Sequence, residues 1–324
     1  AFMKQEDGSP TGNVSAMRDL AQSAWMSKVY CEPNRTPVDA PSVLGKYGPL
    51  LEQRRATHEL APLSGADLQG TIAAWPRSKK GGTDAWEAEH FKDAPLPLLD
   101  MLADLLNTTE EGAPWPEALT EGLMALVPKK ATAGGPLDQR PITLTNLAYR
   151  AWSGTRCRQS RLWLQAWAHP RSGGTPGRGA AEVWGPISIR AEIARGEQKL
   201  AALKRAAHQD GPEDYGGGHL GGVSMDLWKF YDLIDAPVAI EFLKKMGLSD
   251  RVATPLHAFY DKLWRIMSLN GAAGAGFRSI QSVLQGCAWS NPLAASIGTA
   301  WACFVEQRAK VAAYTYADDW YILA

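Results

Sequence analysis

Apolar and polar positions along the chain alternate at helical and at strand spacing in turn. Residues 96–106 place Leu98, Leu102, Leu105 and Leu106 on one predicted helical face. Residues 146–167 also have helical spacing, with Leu147, Trp152, Leu162 and Trp163 on the expected buried side. Helical pattern returns over 180–209, 237–246 and 250–264. It returns again from Asn291, an N-cap with Pro292 at the first helical position, ahead of the stripe Leu293, Ile297, Trp301 and Phe304. Gly81-Gly82-Thr83-Asp84 predicts a further start, with Thr83 or Asp84 as cap and Glu87 completing a capping box. Short apolar runs predict strands at 123–127, 140–144 and 223–227, and Pro141 marks the second as an edge. Residues 266–269 and 277–284 read as a hairpin around a Gly/Ala loop, and 312–316 and 320–323 as another around Asp-Asp. Glycine-rich stretches at 129–139, 173–179 and 211–222 read as a turn, a loop and a connector. Residues 1–80 have short apolar runs broken by Pro, Gly and Ser, and read as a poorly structured or helical lead-in.

Composition narrows the class. The chain has 324 residues, 45% of them hydrophobic, which excludes disorder as the overall state. Lys plus Arg and Asp plus Glu both number 34, so net charge names no partner. The charge is nonetheless segregated. Residues 81–121 hold ten acids against Lys92, and residues 126–178 hold nine bases against Asp138. The basic segment is the footprint expected for phosphate contact, and a helix face paired to the acidic segment explains it equally well. Cys31, Cys157, Cys287 and Cys303 have no zinc-like spacing and point to a reducing compartment. Residues 279–305 carry no charge, but Gln281, Gln285, Ser290, Asn291 and Pro292 in their midst argue against a membrane span. The glycines of 173–179 lack P-loop order. Among the 13 Trp, core packing is the expected role of most, with base stacking open to some. The chain begins at Ala1 without a leader and stops inside the apolar run Tyr321-Ile322-Leu323-Ala324, so both ends read as cut.

Candidate chemistry concentrates in carboxylates. Asp318-Asp319 sits between two short strands, where turn chemistry alone accounts for it. Asp226 ends a strand of its own, followed by Lys229, Tyr231 and Asp232. Two strand-end carboxylate sites in one sheet would hold hard cations. Two Mg²⁺ about 3.5–4 Å apart suit an in-line nucleotidyl displacement, which needs no His or Cys nucleophile.

Five blocks in order carry a resemblance: Leu126-Val127-Pro128-Lys129; Arg140-Pro141-Ile142-Thr143-Leu144; Asp226 through Asp232 (DLWKFYD); Gln285-Gly286 with Asn291-Pro292-Leu293; and Tyr316-Ala317-Asp318-Asp319. Together they resemble reverse transcriptases of the LINE-like (non-LTR retrotransposon) and group II intron types, over residues 81–324. Gly81 through Trp86 is similar to that family's upstream block. The resemblance implies an α+β right-hand polymerase with an antiparallel palm sheet packed on helices. Fingers would span about 81–222 and 242–284, and the palm about 223–241 and 285–324. The thumb would follow beyond residue 324, so this chain alone is expected to be poorly active. It implies RNA-templated DNA synthesis with two Mg²⁺, or Mn²⁺ in their place, and an RNA template, a DNA or RNA primer and dNTPs as partners.

Residue roles follow from the same resemblance. Asp226 and Asp318 would be the main metal ligands, assisted by the Leu227 carbonyl, and Asp319 the third carboxylate. Tyr231 would be a steric gate against the 2′-hydroxyl. Arg140, and Lys129 less strongly, would hold the triphosphate. Gln285 and Gly286 would line the nucleotide pocket, and the basic segment 126–178 would grip template phosphates. Phe230, Trp228 and Cys287-Ala288-Trp289 depart from the LINE-like pattern and bear on nucleotide selectivity. Ala317 before the Asp pair favours a reverse transcriptase over an RNA-dependent RNA polymerase. That polymerase is one rival reading, and a catalytically inactive or maturase-like RNA-binding module is the other. The implied location is intracellular, and nuclear for a eukaryotic retrotransposon.

Overall fold

The computed structural model describes residues 3–5, 7–32, 35–84, 86–129, 134–207 and 220–324, the side chains of 205–207 excepted. Ala85 of the upstream block and most of the 211–222 connector lie outside them. The lead-in is helical. After a small ribbon of β1 (Met3–Lys4) and β2 (Pro10–Thr11) come α1 (Val14–Trp25), a π-helical turn (Met26–Tyr30), α2 (Ala40–Glu52) and α3 (Gly65–Ile72). Each helix starts at a side-chain cap. Asn13 accepts from Ala16 N–H, Asp39 from Ser42 N–H, and Ser64 forms a capping box with Asp67.

There follow α4 (Ala88–Lys92), α5 (Leu96–Glu110), β3 (Glu121–Pro128), β4 (Gln139–Thr145), α6 (Leu147–Gln159), α7 (Arg161–Trp167) and α8 (Ala180–Ala207). The remainder is β5 (Gly222–Asp226), α9 (Phe230–Leu233), α10 (Ala236–Lys245), α11 (Asp250–Lys262), β6 (Trp264–Leu269), β7 (Ala272–Phe277), α12 (Ser290–Arg308), β8 (Ala312–Tyr316) and β9 (Asp319–Leu323). A four-stranded sheet has the order β4-β3-β6-β7, with β3 and β6 parallel and the outer pairs antiparallel. A separate antiparallel sheet has the order β5-β9-β8. Among the described residues, helices are thus combined with the β1–β2 ribbon and two larger sheets, a mixed architecture compatible with the expected α+β class. β4 lies at an edge, as Pro141 predicts.

Several elements differ from the pattern reading. The helix expected at 81–84 begins only at Ala88, with Glu87 at the cap. Gly81 and Gly82 instead make close backbone approaches. A Cβ on Gly81 would collide with the Trp86 carbonyl, and one on Gly82 would lie 2.9 Å from Asn146 N. In α5 the inward residues are Leu99, Ala103, Leu106 and Glu110, while Leu98 is 52% exposed and Leu105 is exposed as well. The helix is turned one residue from the leucine count because its buried side must also present Glu110. The 146–167 helix breaks at Ser160, and Leu162, expected inside, is 79% exposed.

The Gly/Ala run is itself a strand, β7, and the hairpin turns at Asn270-Gly271, both with positive φ. β7 needs small residues because neighbours press on it. A Cβ on Gly276 would overlap the Trp264 indole, and one on Gly274 the Gln22 side chain. From α1, Arg18 Nη1 donates to Ala273 O (2.8 Å) and Gln22 Nε2 to Ala275 O (3.0 Å).

The lead-in therefore belongs to the core. Trp25, Val29 and Tyr30 pack with Met124, Leu126, Met267 and Phe277 on one face of the four-stranded sheet. A larger core joins α3, α5, α6, α10, α11 and α12 around Trp152, Trp163, Phe259 and Leu293. Inside it, Glu110 and Arg156 are paired with no side-chain exposure. Trp152 Nε1 donates to Glu110 Oε1 (2.9 Å), Arg251 approaches Oε2 (3.5 Å), and Arg156 Nη1 donates to Ala61 O and Gln159 Oε1. Pairing between the acidic and basic segments occurs in this buried knot, and Arg77 and Lys80 meet Glu89, Asp93 and Glu87 at the surface.

Candidate active site

The β8–β9 hairpin is tight because Tyr316 pairs with Asp319, which leaves Ala317-Asp318 as a two-residue turn. Ala317 takes a left-handed φ of 50°. The strain is held from both sides: Trp320 Nε1 donates to Ala317 O (2.9 Å), and Leu227 N–H donates to Asp318 O (2.9 Å). Trp320 is buried against Trp301 and Phe230. Behind the hairpin Gly298 of α12 admits β8 closely, since a Cβ there would lie 2.8 Å from Thr315 Oγ1.

This register sets the carboxylates. Asp226 is the direct cross-strand partner of Asp319. Directly opposed residues carry their Cβ atoms about 4.5–5.5 Å apart on one face. Asp318 adjoins them in the turn, and its carbonyl bonds to the residue after Asp226. Asp226 and Asp318 are exposed and Asp319 half-buried. Burial, then the charges of Asp318 and Asp226, push the Asp319 carboxyl above its usual range. Carboxylate oxygens are the donors that a hard cation takes. Among the described residues no three Asp, Glu, His or Cys side chains are grouped closely enough to hold a metal ion.

The segment after Asp226 reaches the other candidate residues. Lys229 has φ 50° and turns the chain into α9. Its Nζ donates to Leu137 O (2.6 Å) and lies 3.9 Å over the Trp25 ring. Burial, then the Lys129 charge, lower its pKa to about 8. Tyr231 donates its hydroxyl to Asn291 Oδ1 (2.9 Å). Burial, then the Asp318 charge, raise it to about 12. Asn291 lies within the first turn of α12, where Trp289 is the N-cap position, and its side chain serves Tyr231 rather than the helix.

Asp232, 2% exposed, accepts from Tyr30 Oη (2.8 Å) and from Gln285 Nε2 (3.0 Å). Burial holds its carboxyl above the usual range. Gln285 also accepts through its main-chain carbonyl from Thr143 N–H (3.3 Å), so it ties β4 to α9. Gly286 follows with φ 114°, a conformation that disfavours any side chain. Tyr231, Gln285, Gly286 and Asn291 line a cleft of about 410 Å³.

Arg140 and Lys129 stand further off. Arg140, opposite Val127, is exposed and makes no ion pair among the described residues. Lys129 is exposed, and its N–H donates to Asp138 O (3.0 Å). Among the described residues no contact ties either base to the carboxylates. Their link runs along β4 to Thr143, which holds Gln285. Asp232, Asn291 and Tyr30 were not singled out as site residues by sequence. Asp232 lies inside the DLWKFYD block, and Asn291 inside the Asn291-Pro292-Leu293 block, where its spacing predicts a helix cap. Tyr30, in the lead-in, had no signal.

No protein-family model matches the chain. Among the described residues no helix is long and apolar enough to cross a membrane.

Proposed function

We propose that this chain is the fingers and palm of an RNA-directed DNA polymerase of LINE-like or group II intron type. The supporting observation is the cross-strand pair Asp226–Asp319 with Asp318 in the adjoining turn. Asp226, Asp318, Asp319 and the Leu227 carbonyl would hold the divalent ions. Bound there, Mg²⁺ or Mn²⁺ supplies acidity toward a primer 3′-hydroxyl and countercharge for a leaving pyrophosphate. The protein's own side chains do the positioning. Tyr231 stays protonated well above neutral pH, so it acts as an anchored ring and a donor to Asn291, not as a base. Asp232 orients Gln285, and the bare backbone of Gly286 leaves room for a substrate to approach. Arg140 and Lys129 are the cations proposed for the triphosphate.

Tyr231 provides the test of substrate class. In the full-length protein, Tyr231→Ala is expected to lower the kcat/KM preference for dNTP over NTP by about tenfold or more, on the scale of a lost steric contact. Unchanged discrimination would remove the gate. A wild-type preference for NTP would favour an RNA-dependent RNA polymerase.

A further inference from the structure

α8 (Ala180–Ala207) is the longest of the described helices, and the polymerase reading gives its outer side no role. Its first turns anchor it. Val183 and Ile187 pack with Ala312, Tyr314 and Leu323 of β8 and β9, and the Trp184 ring meets Tyr321 edge-on with centroids 4.3 Å apart. Beyond that anchor a second apolar set faces solvent. Ile189, Ile193, Leu200 and Leu203 are each between 54% and 67% exposed. With Gly196 they recur at steps of four, three, four and three residues. That is the heptad step of a coiled-coil seam, narrower than the stripe of a helix lying on a core. From Ile189 to Leu203 the seam runs about 21 Å. Apolar side chains aligned in water over that length mark an interaction surface, where scattered single ones would not.

Two observations say what covers it. The first is Gly196, in the middle of the seam. Glycine weakens a helix interior, yet a Cβ there would meet no atom within 4 Å among the described residues. Packing within the chain gives no reason for the missing side chain, whereas a second helix laid on the seam gains a hole for a large residue. The second observation is charge. The positions flanking the seam carry Arg190, Glu192, Glu197 and Lys199, all exposed. An antiparallel copy of the same helix can lie with Ile193 over Gly196 of the second copy and Ile189 over its Leu200. Glu192 then meets Lys199 and Arg190 meets Glu197, and two-fold symmetry repeats each unlike pair. A parallel copy would set Glu192 against Glu197 and Lys199 against Lys204. Antiparallel pairing also puts the two anchored ends at opposite ends of the seam. α5 offers the contrast. Its outward Leu98, Met101 and Leu105 stand on a helix whose charged residues, Asp100, Asp104 and Glu110, are all acids, so a second copy would be repelled.

We propose that α8 joins two copies of this chain. Ile189, Ile193, Leu200 and Leu203 of each form an antiparallel two-helix seam, and the Glu192–Lys199 and Arg190–Glu197 pairs fix its direction. The occupant is a second copy because the pattern is complementary to itself. The helix is already formed on the folded chain, so pairing does not have to nucleate it. The inference does not depend on the polymerase reading, since neither metal nor nucleic acid takes part in the contact.

Sedimentation velocity of the full chain, 35.2 kDa as a monomer, is the test. The wild type is expected to shift toward twice that mass as its concentration rises. Leu200→Glu, Glu192→Lys and Lys199→Glu should each weaken association at least about tenfold, since symmetry enters each change twice and like charges across an interface are disfavoured. An equimolar mixture of Glu192→Lys with Lys199→Glu should dimerise again, because every introduced charge then faces its opposite. That recovery also shows that both variants are folded. Met101→Glu, on the outer side of α5, should change nothing. A wild type that stays monomeric at about 100 µM would overturn the proposal and leave the seam to a different helix. Tighter association of Glu192→Lys would mean a parallel pair, and a mixture no better than its components would mean that charge does not direct the contact. Either result overturns it. Association lost in Met101→Glu and kept in Leu200→Glu would move the interface to α5 and overturn it as well.

Discussion

Asp318→Ala and Asp226→Ala should each lower single-nucleotide incorporation by the full-length protein at least about 10²- to 10³-fold, the range for losing a preorganised electrostatic group. Neither should cost stability. Asp226 and Asp319 are opposed across β5 and β9, and like charges in that position repel. Asp319 is held above its usual range in part by both other carboxylates, which means the fold works against their joint charge. Removing one relieves that repulsion, so the melting temperature should stay level or rise while activity falls. Function and stability then move in opposite senses, the mark of a site kept at a stability cost. A variant that loses both together would show that the carboxylate supports the hairpin instead. Near-normal incorporation by either variant would defeat the mechanism.

The largest stability effect is expected at Glu110. Its carboxylate, fully buried, meets Arg156, Trp152 Nε1 and Arg251. Glu110→Ala leaves the Arg156 guanidinium, also fully buried, without its countercharge. Removing one partner of such a pair costs about 3–5 kcal/mol. Arg156 keeps hydrogen bonds to Ala61 O and Gln159 Oε1, which satisfy donors but not the charge. Replacing Glu110 and Arg156 together by apolar residues should cost much less than Glu110→Ala alone. Urea unfolding of the single and double variants measures this. A double variant as unstable as the single one would mean that the pair's shape, not its charge balance, holds α5 to α6.

Much of this was legible because local chemistry and tertiary need agreed. Asp226 and Asp319 were readable as strand-end acids since β5 closes on a carboxylate and β9 opens on one. Pro141 marked an edge because proline removes a ladder donor. Leucine counting failed in α5 because it cannot anticipate that Glu110 is drawn inward by Arg156, a residue 46 positions away. The Gly/Ala strand β7 looked like a loop since the reason for its small residues, the Trp264 indole and the Gln22 side chain, lies on other elements. The lead-in was opaque for the same reason. Trp25 and Tyr30 are core residues only once β3, β6 and β7 exist to receive them. At the site, the bridge from Tyr30 through Asp232 to Gln285 joins three distant segments, and no spacing rule reaches across them.

Mn²⁺ binding followed by electron paramagnetic resonance tests the central claim most directly, since it reads the carboxylates without requiring turnover. The account predicts that the wild-type chain binds Mn²⁺, that Mg²⁺ competes, and that the combined Asp226→Ala, Asp318→Ala, Asp319→Ala variant folds but loses the bound signal. Equal Mn²⁺ binding by wild type and variant, or none by the wild type, would contradict it.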